Sequence, residues 1–121
     1  MVAKDVSPKK GEIWIVNFDP VIGQECMKTR PALVVSEDSI GLLQLKIVVP
    51  ILGWKDRFIH QPWRIQIKPT KKNGLTKISC ADSFQVKSLS EKRFNNRIGL
   101  LHPRILEEVL AGIVLCIGFQ Y

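Results

Sequence analysis

The chain has 121 residues, of which 45% are apolar, and it carries a net charge of +7. This length and composition are ordinary for one soluble domain that buries its own core. No apolar run reaches the roughly 18 to 20 residues that span a bilayer, and residues 1–10 lack the apolar segment of a secretory signal. We therefore expect a single cytoplasmic domain over residues 1–121, with residues 1–10 as a loose arm.

The cysteine and histidine residues argue against a disulfide framework and against a metal site. Cys26, Cys80 and Cys116 are odd in number and widely spaced, which is typical of free thiols in a reducing compartment. His60 and His102 stand alone, and no pair of carboxylates or imidazoles has the spacing of helical metal ligands. We expect no metal and no cofactor.

The positive charge is concentrated in the middle of the chain. Residues 1–54 carry six Lys or Arg and six Asp or Glu, whereas residues 55–104 carry twelve and three, a surplus of nine. Such a basic section suits a polyanion, or an acidic protein segment that mimics one. A basic face that only keeps the protein soluble explains the composition equally well.

The first half of the chain reads as three strands. Trp14, Val16 and Phe18 alternate with Ile13, Ile15 and Asn17, which predicts a first strand. Asp19-Pro20 ends this strand, and Gly23 lies in the loop that follows. The apolar runs at residues 32–35 and 45–51 predict the second and third strands, and a long basic loop covers residues 54–61.

The second half predicts three further strands, a short final strand and a helix. The strands lie at residues 63–68, 76–80, 84–89 and 98–101, with Arg64, Gln66 and Lys68 on a solvated face of the first. In the strand at residues 84–89, Gln85 and Lys87 would share one face with Ser83. Ser90 is expected to cap a short turn at residues 91–94, and Asn95 and Asn96 are expected to break this turn before the final strand.

A C-terminal helix is predicted over residues 103–117. Pro103 suits a first helical position, and the apolar residues that follow have helical spacing over most of the circumference. Helices of this kind are buried on two sides, either in a homodimer or over the mouth of a barrel. Short strands followed by one helix predict a mainly β fold, a small and strongly bent barrel.

Two ordered blocks resemble the MazF/PemK family of toxins. GEIWIVNFDP followed by TRPALVVS, residues 11–20 and 29–36, is similar to the N-terminal motif of that family. Residues 85–89 and 91–94 are similar to its late strand and the next turn, and residues 47–51 to its third strand, so the likeness spans about residues 10–117. It implies an SH3-like β-barrel with a C-terminal helix, as in MazF, PemK and CcdB, and a homodimer.

The resemblance also implies an activity and two partners. Members of this family are sequence-specific, metal-independent endoribonucleases (mRNA interferases) in type II toxin–antitoxin systems. The expected partners are single-stranded RNA and a cognate MazE-like antitoxin whose acidic tail would cover the same groove as the RNA.

The expected catalytic residues are Arg30, Thr29 and Glu25. In the family the arginine before the proline is the principal catalytic cation, and here it corresponds to Arg30, whose guanidinium is matched to phosphate oxygens. The family's partner hydroxyl, a Thr or Ser after the third strand, is replaced by Leu52, which can neither donate nor accept a proton. Thr29, Lys55 or His60 would have to compensate, and Glu25 is a candidate base.

The expected RNA-binding residues come from the loops and the late strand. They are Lys28, Lys55, Arg57, His60, Gln85 and Lys87. Asp82 matches an acid of the family only if a bulge realigns it with Gln85. Trp54 and Trp63 are candidates for stacking on bases, and core packing explains them equally well.

Two alternatives remain open from the sequence. Leu52 favours a catalytically silent module that binds nucleic acid or antitoxin on the same fold. A CcdB-like gyrase inhibitor shares the fold, but the intact Thr29-Arg30-Pro31 step argues against it.

Overall fold

The structure, a computed structural model, describes residues 7–20, 23, 28–40 and 44–120. Within these ranges the chain forms seven strands and one α-helix. They are β1 (Glu12–Asn17), β2 (Thr29–Val34), β3 (Leu45–Gly53), β4 (Arg64–Ile67), β5 (Ser79–Asp82), β6 (Lys87–Ser90), β7 (Phe94–Leu100) and α1 (Pro103–Ile117). Short 3-10 helices cover Asp56–His60, Ser83–Gln85 and Glu91–Arg93.

All the paired strands are antiparallel, and they form one sheet in the order β4-β5-β3-β2-β1-β7. The first half of the long strand β3 also pairs with β6, and its second half pairs with β5. The mainly β fold with a C-terminal helix is confirmed. In the described residues β4 and β7 do not pair with each other, so the barrel-like sheet is open at this seam.

The strands bury apolar side chains on both of their faces because successive side chains point to opposite sides of a strand. Val49 and Ile51 of β3 belong to a first cluster, which also contains Ile13 and Leu33. Val48 belongs to a second cluster. Its other buried members are Trp14, Val16, Phe18, Ala32, Val34 and Leu89. This double burial explains why β1 to β3 read as nearly continuous apolar runs.

Helix α1 covers the first cluster and has the predicted bounds. His102 caps it by accepting a hydrogen bond on Nδ1 from the Arg104 amide, and Gly118, at φ +73°, ends it in the left-handed conformation. Val109 and Gly112 are buried. Leu115 and Ile117 remain 55% and 70% exposed, so one side of the last turns has no cover within this chain.

The predicted strand bounds in the second half need correction. The strand expected at residues 84–89 begins only at Lys87, because Ser83–Gln85 form a 3-10 helix in which the Asp82 carboxylate accepts from the Phe84 amide. The strand expected at residues 76–80 is instead β5, at Ser79–Asp82. The first shift arises where local polar capping by Asp82 competes with strand formation.

The predicted break at Asn95-Asn96 is wrong. Both residues are exposed members of β7, and Asn96 pairs with Ile15 of β1. Pairing with a buried neighbouring strand overrides the poor strand propensity of asparagine. Ser90 does cap the following turn, because its hydroxyl accepts a hydrogen bond from the Lys92 amide.

Residues 7–10 of the predicted arm contact the rest of the chain. The Ser7 hydroxyl donates to Glu91 Oε2 at 3.0 Å, and the Lys10 amide donates to Asp38 Oδ1 at 2.8 Å. Residues 1–6 of the arm lie outside the described residues.

Candidate functional site

The loop between β1 and β2 returns to the sheet through Lys28. Its amide donates to Asp19 Oδ1 at 2.8 Å, and its carbonyl accepts from the Phe18 amide at 3.0 Å. Lys28 has a φ of 68°, which side chains rarely adopt, so these bonds hold a turn that local preference disfavours. The predicted base Glu25 lies outside the described residues.

Arg30 lies at the rim of the second cluster. It is the second residue of β2 and pairs with Val16 of β1, while the exposed Thr29 pairs with Asn17. By strand alternation Arg30 shares its side of β2 with Ala32 and Val34, which are fully buried. Arg30, a half-buried residue, is thus carried by a strand rather than by a loop, as a positioned anion-binding group requires.

Leu52 lies two residues beyond the last pair of β2 with β3, and it packs on the side of the sheet that carries Arg30. This last pair joins Ala32 with Pro50. Leu52 packs against the second cluster and pairs with Cys80 on its other side. Leu52 therefore presents hydrocarbon to the second cluster in the stretch of β3 where the resemblance leads us to expect a hydroxyl.

Gln85 and Lys87 do not share a strand face, which corrects the prediction. Lys87 is the first residue of β6 and pairs with Val48 of β3. Gln85 ends the 3-10 helix, and its side-chain amide donates to Asp82 Oδ2 at 3.0 Å. Ser83, expected on the same face, is fully buried and donates its hydroxyl proton to the Val109 carbonyl of α1.

The buried Asp82 and the half-buried Arg64 form an ion pair that the sequence did not predict. Arg64 Nη2 lies 3.5 Å from Asp82 Oδ2, and the Asp82 side chain is 3% exposed. The guanidinium carbon also lies 4.1 Å from the centre of the Phe58 ring. The predicted solvated face of β4 is thus wrong for Arg64. Because Ser83–Gln85 form a 3-10 helix and not a strand, the Gln85 side chain lies within hydrogen-bond distance of the Asp82 carboxylate.

Cys80 lies beside this pair with a buried thiol. Burial raises its pKa from 9.0 to about 11, although the nearby Arg64 guanidinium partly opposes the rise. Because the thiolate is the reactive form, Cys80 is a poor nucleophile near neutral pH. Burial also raises the pKa of Cys116, which lies on α1.

The basic loop at residues 54–61 is built around Phe58. This side chain is buried, and Trp54 packs on it edge to face at 5.7 Å between ring centres. The 3-10 helix Asp56–His60 therefore turns Lys55, Arg57 and His60 outward, where all three are exposed. Trp63 packs instead against Phe84 at 6.5 Å. The loop thus presents three cationic or titratable groups on an apolar anchor.

Two further properties bear on the site. In the described ranges no three His, Cys, Asp or Glu side chains are placed to hold a metal ion together. No helix in the same ranges is long and apolar enough to cross a membrane.

Comparison with known proteins relates this geometry to one family. A family model described as "PemK-like, MazF-like toxin of type II toxin-antitoxin system" matches residues 9–117. The protein described as endoribonuclease PemK, from Escherichia coli, is 36% identical over 52 residues. This stretch is 42% of the present chain and 39% of that relative, so the match spans well under half of the relative's length.

Solved structures share the fold over nearly the whole chain. MazF from Deinococcus radiodurans superposes with a TM-score of 0.80 at 21% identity, covering 95% of this chain and 100% of that one. A mycobacterial endoribonuclease in complex with its cognate antitoxin gives a TM-score of 0.73 at 13% identity, covering 94% and 98%. At these identities the likeness establishes the fold.

Proposed function

Since the chain belongs to the family of PemK-like, MazF-like toxins of type II toxin–antitoxin systems, we propose that it is a sequence-specific, metal-independent endoribonuclease. Its substrate is single-stranded mRNA, and a cognate antitoxin neutralises it. The observation that carries the proposal is the position of Arg30 on β2, opposite Val16 of β1 and on the side of the sheet that buries the second cluster. The endoribonuclease name of the E. coli relative supports it.

Cleavage in this scheme uses the RNA's own 2′-hydroxyl. Its oxygen attacks the adjacent phosphorus, the bond from phosphorus to the 5′-oxygen breaks, and the products are a 2′,3′-cyclic phosphate and a 5′-hydroxyl. One proton leaves the 2′-hydroxyl and one is given to the 5′-oxygen. The Arg30 guanidinium stabilises the charge that builds on the phosphate oxygens.

The proton transfers need groups other than residue 52, because Leu52 has no exchangeable proton. Thr29 lies next to Arg30 and is exposed, and Lys55 and His60 belong to the loop that follows β3. We propose that the general acid and the general base come from among these three residues and Glu25. Lys28, Arg57, Gln85 and Lys87 are proposed to hold the rest of the RNA.

A catalytically silent binding module is the second candidate, and the packing of Leu52 against the second cluster favours it. In that case the protein keeps the basic surface and Arg30 but lacks a working acid–base pair. A gyrase inhibitor of the CcdB kind is a weaker alternative. It would inhibit DNA supercoiling without breaking RNA.

Digestion of 5′-labelled RNA with EDTA present tests the proposal. We expect discrete fragments from the wild type and a rate about 100-fold lower from Arg30→Ala, as for the loss of one transition-state donor. Arg104→Ala removes an exposed arginine at the start of α1 and should cut normally. Fragments only from Leu52→Thr would establish the silent module, and no fragments from any variant would refute the endoribonuclease.

We also propose that the protein is a homodimer. Phe84, Leu115, Ile117 and Phe119 are each at least 55% exposed, and Pro62, Trp63 and Cys116 complete a cavity of about 390 Å³ beside Phe84 and Leu115. An isologous contact would bury this apolar surface. The antitoxin is proposed to lay its acidic tail over Arg30, a contact that salt should weaken.

A further inference from the structure

A second cavity lies at the open seam of the sheet, away from the candidate ribonuclease site. It has a volume of about 530 Å³ and lies between the ends of β4 and β7, under the start of α1. We call it the seam pocket. Among the residues that the structure describes, none of those proposed above to bind or cleave RNA lines it. The fold therefore leaves a preformed concave surface that the proposed reaction does not use.

The floor of the seam pocket is aliphatic. Ile67 and Leu101 are 2% and 3% exposed and belong to the first cluster, and Ile105 packs against the same cluster. Leu100 adds a side chain that is 44% exposed. No Phe, Tyr or Trp is among the described residues that line the pocket. Such a floor takes aliphatic side chains and carries no ring on which a base could stack. The imidazole of His102, which also lines the pocket, accepts a hydrogen bond on Nδ1 from the Arg104 amide.

The rim of the seam pocket is cationic. Lys68, Lys71 and Lys72 line it and are exposed, and no Asp or Glu is among its described lining residues. The start of α1 adds little positive potential to the rim, because its first amides already have acceptors. The Arg104 amide donates to His102 Nδ1, and the Ile105 and Leu106 amides donate to the His102 carbonyl. The positive charge of the rim therefore comes from the three lysines.

The wall formed by residues 70–74 is rigid. The buried Asn73 side chain accepts from the Thr70 and Leu75 amides and donates to the Lys68 carbonyl at 2.9 Å. The Lys72 carbonyl accepts from the Leu100 amide of β7 at 2.8 Å. Because the lysine-bearing turn is already ordered, a ligand loses less free energy to ordering of the protein.

We propose that the seam pocket docks an acidic peptide segment of a partner protein, with aliphatic side chains on the floor and carboxylates at the lysines. The cavity volume is within the range of about 300 to 1,000 Å³ that small ligands occupy, enough for a few side chains. An aliphatic floor without aromatic rings favours a peptide over a nucleotide. The ammonium group of lysine is also a compact point charge, so it pairs with a carboxylate without the bidentate geometry that arginine uses.

The proposed function supplies the partner, and this part of the inference rests on it. The segment belongs to the antitoxin and anchors it at a site that is distinct from Arg30. A two-site contact raises the affinity of a disordered partner, because the second segment binds intramolecularly once the first is bound.

An NMR titration of the ¹⁵N-labelled protein tests the docking directly. The probes are an octapeptide of alternating Asp and Leu, the same peptide with Ser for every Leu, and octauridylate. We expect the Asp-Leu peptide to shift amides of residues 67–73 and 100–106, and the Asp-Ser peptide to bind about tenfold more weakly because it lacks aliphatic anchors. Octauridylate should shift these amides less than the Asp-Leu peptide does.

Charge reversal at the rim gives a matched pair of variants. Lys71→Glu with Lys72→Glu should weaken the Asp-Leu peptide by about tenfold or more. Lys9→Glu with Lys92→Glu makes the same change at exposed lysines outside the pocket and should alter binding less than threefold, apart from long-range screening. The amide spectrum of each variant reports whether the fold is kept.

The outcomes separate this proposal from the ribonuclease proposal. Peptide binding at the seam pocket that persists in Arg30→Ala supports the docking surface, even for a protein that cuts no RNA. Three results overturn it. They are no shift with the Asp-Leu peptide, shifts that centre on Arg30, or stronger binding of octauridylate in the pocket.

Discussion

At the scale of single residues, the buried carboxylate of Asp82 determines what its neighbours must provide. A charge without water needs a counterion and hydrogen bonds, and Asp82 obtains them from Arg64, from Gln85 and from the Phe84 amide. The same ion pair positions the Arg64 guanidinium over the ring of Phe58, which is the buried anchor of the basic loop. An ion pair far from Arg30 in sequence thereby shapes the proposed RNA surface.

Arg64→Met should destabilise the protein by about 3 kcal/mol, because the Asp82 carboxylate would stay buried without its counterion. Urea unfolding measures the change. Arg57→Met is the control, since Arg57 is exposed and its guanidinium lies 5.5 Å from the same ring. It should change the free energy of unfolding by less than about 0.5 kcal/mol. Equal losses from the two variants would contradict the importance of the ion pair.

Cys80 predicts a pH dependence of stability. Its pKa in the folded protein is about 11 instead of 9.0, so between these values the unfolded chain releases a proton that the native protein keeps. Stability should therefore fall as pH rises, by about 2 kcal/mol between about pH 8 and about pH 10.5. Urea unfolding of wild type and Cys80→Ala at both values isolates this contribution. An identical loss in the two proteins would exclude it.

At the scale of elements, the turn at residues 70–74 and strand β7 are held together by close backbone contact. A Cβ built at Gly99 would lie 2.3 Å from the Asn73 carbonyl oxygen, and one at Gly74 would lie 2.1 Å from the Ile98 oxygen. Only glycine permits this approach. The contact places the lysine-bearing turn over the open seam, so it forms the seam pocket as well.

Gly99→Ala should cost about 2 to 3 kcal/mol, because β7 and the turn must move apart. Gly53→Ala is the matched control in another strand, where the nearest atom to the new methyl group is the flexible end of Lys77 at 3.5 Å. It should be tolerated within about 1 kcal/mol. Thermal unfolding of the two variants measures the difference, and a stable Gly99→Ala protein would show that the turn yields easily.

At the scale of the whole molecule, the structure presents three separate surfaces for three proposed contacts. Arg30 and the basic loop are proposed to bind RNA, the seam pocket to bind an acidic peptide, and the apolar end of α1 to contact a second copy. Their separation means that each contact can be disrupted by substitutions that leave the others in place.

Leu115→Arg should convert the proposed dimer into a monomer, because it places a charge in the apolar contact. Sedimentation equilibrium gives the mass. Ile40→Arg introduces the same charge at a side chain that is 74% exposed outside this surface, and it should leave the dimer intact. A wild-type protein that is monomeric at high concentration would refute the dimer itself.

The sequence by itself determined the family, the positions of β1 to β3 and the bounds of α1. The family came from the two blocks that resemble it. The strand positions and the helix bounds depend on local patterns, namely alternation in strands, helical spacing and Pro103 at the start of the helix, which few tertiary contacts can override. It also identified Leu52 as the departure from the family. The roles of Arg30 and the other proposed site residues stay predictions.

Tertiary structure alone decided the pairing of Asp82 with Arg64, the full length of β7 and the open seam. Each depends on contacts between residues far apart in the chain, such as β4 with β5 across residues 68–78 and β7 with β1. Local propensity carries no information about such a register, because burial against a distant strand decides which face each side chain takes. The half-buried arginine and the lysine-rimmed pocket were therefore hidden in residues that read as solvated.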